Sequence, residues 1–160
     1  MAGPWLRTIH NSIFRFRLRA AKVLLCGLSG LGAEIAKNIV LAGIKSVTFL
    51  DHKIVTEIDQ AAQFFASHES LNSNRAIASL DRAQALNPMV EIIADPERLS
   101  DKSSDFFGEF DMVIVTEASI PELRRIDKAC RSRNVKFISA DCWGMFGYSF
   151  TDLQRHEFVE

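Results

Sequence analysis

Cysteine is scarce in this 160-residue chain. There are three, Cys26, Cys130 and Cys142, and no two have CxxC spacing. An odd count without metal-ligand spacing argues against a disulfide framework and a zinc site and points to reduced thiols. Neither sign of charge is in excess: 19 lysines and arginines oppose 20 acids, for a net charge of −1 and a pI near 6.4. The electrostatic footprint of a nucleic-acid or acidic-membrane binder is missing. No apolar run approaches the ~18 residues that span a bilayer. Arg7, Arg15, Arg17 and Arg19 interrupt the first twenty residues, which excludes a secretory signal peptide and leaves a mitochondrial presequence as the alternative for that stretch. Internal repeats and low-complexity segments are also lacking. The four histidines, His10, His52, His68 and His156, form no catalytic arrangement in the sequence.

What is present fits one domain. With 48% hydrophobic and 24% charged residues, the chain has the composition of an ordinary globular protein. Its length is enough to bury about two-thirds of the unfolded surface. "AKVLLCG" is a short apolar run ending in glycine, as a buried parallel strand would be. "LGAEIAKNIVLAG" has Leu31, Ile35, Ile39 and Val40 at helical spacing, with Gly43 placed to cap it. "SVTFLD" predicts a second strand with Asp51 at its carboxyl end. "SNRAIASLDRAQALNP" predicts a helix stopped before Pro88. "MVEIIAD", "FDMVIVTE" and "VKFISAD" follow as strands, with the helix "IPELRRIDKACRSRN" before the last of them. "GYSFTDL" alternates and suits an edge strand. The order predicts a three-layer, Rossmann-like, doubly wound α/β fold: a mostly parallel sheet with helices on both faces and strands buried on both sides. Residues 1–20 are expected as a basic helical segment and 21–160 as the domain. Ile54–Asn72 is the longest ambiguous connection, and its "QFF" is too apolar for a plain solvated loop.

The first strand runs into "GLSGLG", residues 27–32. In such folds ligands sit at the carboxyl ends of the strands, and a helix starting near Gly30 favours an anion there. Asp51 lies about 20 residues on, where an acid can hold a ribose hydroxyl. The dinucleotide fingerprint has glycine at the third position so that the backbone can approach a pyrophosphate. Here Ser29 adds a Cβ. The loop alone leaves open a nucleotide site and a turn that merely packs strand against helix. Cys130, on a helix, and Cys142, near a strand end, are expected to be packing residues.

Longer strings carry a resemblance. "GLGAEIAKN", "LDH" with "QFF", "RAQALNPMV" and the closing "HEFVE" closely resemble the family that activates ubiquitin-like modifiers. Its ThiF/MoeB-type adenylation fold is shared with bacterial molybdopterin- and thiamine-synthesis enzymes. The chain is most similar to the smaller-subunit branch of the heterodimeric SUMO-activating enzymes, over about Arg17 to Glu160. Active members adenylate the modifier's terminal glycine with ATP and magnesium. The resemblance assigns Gly27, Ser29, Gly30, Gly32, Asp51 and Arg75 to a degenerate nucleotide site. Asp59 stands at the family's asparagine position, Ala62 at its arginine, Arg75 at its lysine, and Ala118 at its magnesium-binding aspartate, with Glu117 beside it. The resemblance therefore implies a non-catalytic subunit that binds no cofactor tightly, ATP and magnesium belonging to a catalytic partner subunit. A SUMO-type modifier would be engaged through the complex, without nucleic acid or membrane, in the nucleus and also the cytoplasm. Arg7 would be the arginine lent to the partner's site, and Gln63, Phe64 and Phe65 would join the heterodimer interface. The family continues beyond "HEFVE", so the chain reads as a fragment or a shortened form. The alternatives are a stand-alone adenylating enzyme and an NAD-binding oxidoreductase domain.

Overall fold

The structure, a computed structural model, describes residues 18–155. Six strands form one sheet in the order β3-β2-β1-β4-β5-β6. They are β1 (Lys22–Cys26), β2 (Ser46–Leu50), β3 (Glu91–Asp95), β4 (Met112–Val115), β5 (Lys136–Trp143) and β6 (Phe146–Asp152). The first five are parallel, and β6 closes the row antiparallel to β5. The helices are α1 (Gly30–Ala42), α2 (Glu57–Ala62), α3 (Arg75–Leu86) and α4 (Ile120–Ser132). The expected doubly wound fold is therefore present. The chain builds outward from β1 to β3, then returns to lay β4 on the other side of β1. That reversal leaves a crevice at the carboxyl ends of β1, β2 and β4.

Two cores lie on the two faces. Val23, Leu25, Val47, Phe49 and Ile114 face α1 and α3. Alternate residues Leu24, Cys26, Val113, Val115 and Phe137 face α4. Local chemistry sets the helix ends. Gly43, at φ 76°, ends α1 in the left-handed region, and Asn74 caps α3 by accepting the Ile77 N–H at 3.1 Å. Pro121 opens α4, where its missing N–H costs nothing.

Two expectations need correction. β3 is not buried on both faces: Ile93 is 46% exposed, because β3 is an edge strand and α4 reaches only the other half of that face. Cys142 is exposed rather than packed. β5 runs on past its parallel neighbour β4, and its last residues pair only with β6. The ambiguous connection contains α2. Thr56 and Asp59 form a capping box there: the Thr56 N–H donates to Asp59 Oδ2 at 2.9 Å and the Asp59 N–H to Thr56 Oγ1 at 3.3 Å. Of the proposed N-terminal segment, Leu18–Ala20 is helical and the rest lies outside the described residues.

Candidate functional site

The glycines of the turn are spent on packing. A Cβ on Gly32 would lie 2.0 Å from the Gly27 carbonyl oxygen, and one on Gly30 would lie 2.9 Å from that of Ala62. Gly27 has φ +87°, and a Cβ there would meet Thr116 Oγ1 at 2.4 Å. That hydroxyl lies 3.1 Å from the carbonyl oxygens of both Cys26 and Gly27. The space that each missing side chain leaves is thus filled by this chain's own atoms. Ser29 is the N-cap of α1 in an extended conformation, φ −67°, that any residue adopts, and its side chain makes no capping bond.

The groups that would face a nucleotide are paired with one another. Asp51, at the end of β2, is buried and accepts the Leu28 N–H through Oδ2 and the Lys53 N–H through Oδ1, each at 2.8 Å. Arg75, the first residue of α3, is 7% exposed. Its Nη1 lies 3.2 Å from Asp51 Oδ2 and 2.9 Å from Glu117 Oε2, and its Nη2 lies 2.9 Å from Asp59 Oδ1. Lys53 Nζ approaches Glu117 from the other side at 3.4 Å. Burial works against the Arg75 charge, but Asp51, Glu117 and Asp59 outweigh it and hold the guanidinium above its ordinary range. Glu117 has φ 57°, left-handed for a non-glycine residue; such strain, roughly 1–3 kcal/mol, persists only where surrounding contacts hold it. The bond to Arg75 is such a contact. One polar atom in the cluster, Arg75 Nε, is buried without a partner.

The other predicted residues separate. Ala62 presses its carbonyl against Gly30, so the α2 end sits on the α1 start. Ala118 packs beside the α4 core. Gln63 is buried and donates through Nε2 to the Leu28 carbonyl at 2.8 Å. Phe65 is fully buried, 6.3 Å from Phe49 between ring centroids. Both side chains are packed inside this chain. Of the three, only Phe64 keeps surface, 38% exposed with Lys37 Nζ 5.4 Å from its ring centroid. Arg7 lies outside the described residues.

Around the cluster are two openings. One of ≈ 210 Å³ is lined by Gly27, Asp51, Lys53, Thr116, Glu117 and Glu122. The other, ≈ 600 Å³, lies between the α1 start and β5, against Ser29, Glu117, Ala118, Asp141 and Trp143. Among the described residues, no set of three or more His, Cys, Asp or Glu side chains is arranged to hold a metal ion. The carboxylates around Arg75 are spread about a planar guanidinium. Sequence reasoning did not place Lys53 and Thr116 in this site. The one available signal was position: Lys53 follows the acid of β2 by two residues, and Thr116 directly follows β4.

Comparison with known proteins agrees with this arrangement of elements. A family model described as the ThiF family matches residues 9–157. The chain is 52% identical over 144 residues to SUMO-activating enzyme subunit 1 of Xenopus tropicalis, covering 90% of this chain and 42% of that protein. It is 50% identical over 144 residues to the protein of the same name from Homo sapiens, with the same coverage. To that of Danio rerio it is 50% identical over 145 residues, again covering 90% and 42%. The chain thus spans less than half the length of these relatives.

Proposed function

The chain belongs to the ThiF family, and on that premise we propose that it is the non-catalytic half of a heterodimeric SUMO-activating enzyme. It would support ATP-dependent adenylation of a SUMO-type modifier by a catalytic partner subunit, in the nucleus and also the cytoplasm. The observation that carries this reading is the identity of about half of all positions over 144 residues with proteins named SUMO-activating enzyme subunit 1.

The site favours the non-catalytic role, because these residues do not fit a magnesium–triphosphate. Ala62 offers no charge to a phosphate, and Ala118 offers no oxygen to the metal. The Leu28 N–H, a donor of the turn, is taken by Asp51. The Arg75 guanidinium is committed to three carboxylates. A polyanion entering here would meet Asp51, Asp59 and Glu117 and would have to displace Arg75 from them. On this reading ATP and magnesium belong to the partner, and no chemical step to this chain.

A chimera tests the reading. The matching 144 residues of the Xenopus tropicalis relative are replaced by those of this chain. The product is combined with the catalytic subunit, and modifier-dependent ATP–pyrophosphate exchange is measured. Exchange near that of the unmodified pair supports the proposal. Loss of exchange in a chimera that still folds overturns it. Exchange by this chain without a partner would mean a stand-alone adenylating enzyme, and tight NAD binding would mean an oxidoreductase domain.

A further inference from the structure

The carboxylates of the crevice come from three separate places. Asp51 directly follows β2, Asp59 lies in α2, and Glu117 comes two residues after β4. Apart from Arg75 and Lys53, no cation stands within ion-pair distance of them among the described residues. Three negative charges so close together repel one another, and the buried two have little water to screen them. One planar cation, the Arg75 guanidinium, touches all three.

α2 is short, with six residues, well below the length at which a helix is stable by itself. Its exposed face carries Ile58, 78% exposed. Among the described residues, it is linked to the turn and to the helices α1 and α3: Asp59 to Arg75, the Gln63 amide to the Leu28 carbonyl, and Ala62 against Gly30. The first is the only one that also reaches β2 and the turn after β4.

We infer that Arg75 is a positioning residue that closes α2 onto the crevice without metal or nucleotide, its guanidinium being the resident cation of a site shaped for a guanidinium. The inference rests on the geometry alone and is independent of the partner assignment. Shape separates it from a general electrostatic role. A lysine ammonium is a compact point charge and cannot present the two Nη groups that reach Asp51 and Glu117 on one side and Asp59 on the other. A metal ion needs its oxygens gathered around one point at about 2–2.6 Å, and these are not so arranged.

Two measurements on the 160-residue chain test this. The first is hydrogen exchange of the unmodified protein in chelator, with and without magnesium–ATP. Amides of 59–63 are expected to be protected in chelator and unchanged by magnesium–ATP. Protection that appears only with magnesium–ATP would overturn the inference. The second is chemical rescue of Arg75→Ala. Its 59–63 amides should exchange about tenfold faster or more, as for a locally opened segment, while those of β1 and β4 change less. Millimolar ethylguanidinium should restore protection, whereas calcium or ethylammonium should not. Arg75→Lys should resemble Arg75→Ala. Rescue by calcium, equal rescue by ethylammonium, or full protection in Arg75→Lys would each refute the guanidinium-shaped site. Should Arg75→Ala fail to fold, the exchange experiment on the unmodified protein and the Arg75→Lys variant decide the matter.

Discussion

Gly32→Ala distinguishes a turn built for packing from one built for phosphate. Gly32 is inside α1, where alanine is ordinarily the better residue by about 1 kcal/mol. A sterically free site would therefore gain stability. Here the new Cβ would stand 2.0 Å from the Gly27 carbonyl oxygen, against the 3.0 Å that real Cβ atoms respect. The obstacle is backbone, part of the turn between β1 and α1, so about 1 Å of movement must pass into the strand or the helix. Overpacking of this kind costs about 1–3 kcal/mol, and a rigid backbone neighbour places it at the upper end. After the propensity gain, a net loss of about 2 kcal/mol remains, or roughly 4–8 °C in melting temperature for a domain of this size. Two neighbours serve as controls. Gly30→Ala meets the Ala62 carbonyl at 2.9 Å, a conflict of about a tenth of an ångström, and should stay within about 1 kcal/mol. Ser29→Gly has no capping bond to lose and should cost a few tenths of a kcal/mol. Calorimetric melting of the three variants without nucleotide gives the answer. A Gly32→Ala protein that melts at or above the unmodified chain would refute the packing account.

The two adjacent phenylalanines should part company: Phe65→Ala, in a fully buried position, is expected to cost about 3–5 kcal/mol, and Phe64→Ala less than about 1.5 kcal/mol, read from urea midpoints at constant slope. Calorimetry should find magnesium–ATP binding to the isolated chain weaker than about 100 μM, the two contacts missing at Ala62 and Ala118 each being worth at least tenfold; micromolar affinity would contradict this. Burial pushes the Cys26 thiol far up, with Cys130 and Asp51 adding to it, and pushes Cys130 up to about 12. Both thiols therefore stay protonated at pH 8. Iodoacetamide at that pH should label exposed Cys142 in the native protein and reach the other two only after unfolding; a second fast-labelling thiol would refute the assigned burial.

The sheet was legible because its strands are apolar runs bounded by glycine, proline and acid, and the helices between them have clear 3.6-residue spacing. What escaped was written in tertiary contacts. The period of "MVEIIAD" cannot tell a central strand from an edge, since that depends on which strands pair with it. α2 is six residues long, and its capping box joins Thr56 to Asp59 in place of the usual glutamate. "QFF" was read as one apolar unit, yet the chain turns each side chain differently, two inward and one half outward. In the site, Asp51 and Arg75 were found by position in a motif. That they pair with each other, with Asp59 and Glu117 arriving from two further elements, is something no local window displays.

The outer margin of β6 is expected to govern how the isolated chain fails on heating. Among the described residues its outer side has no neighbour. From Phe146 to Thr151 it carries neither charge nor proline, and Phe146 and Phe150 are 80% and 50% exposed. Strands that end a sheet usually carry lysine, proline or a bulge to stop edge-to-edge growth. Without such guards, warmed molecules are expected to meet margin to margin and to stack faster than they refold. Inactivation then becomes a matter of rate, with a midpoint that moves with scan speed and protein concentration. A charge introduced by Ser149→Lys would lengthen the half-life at elevated temperature while leaving the urea midpoint nearly where it was.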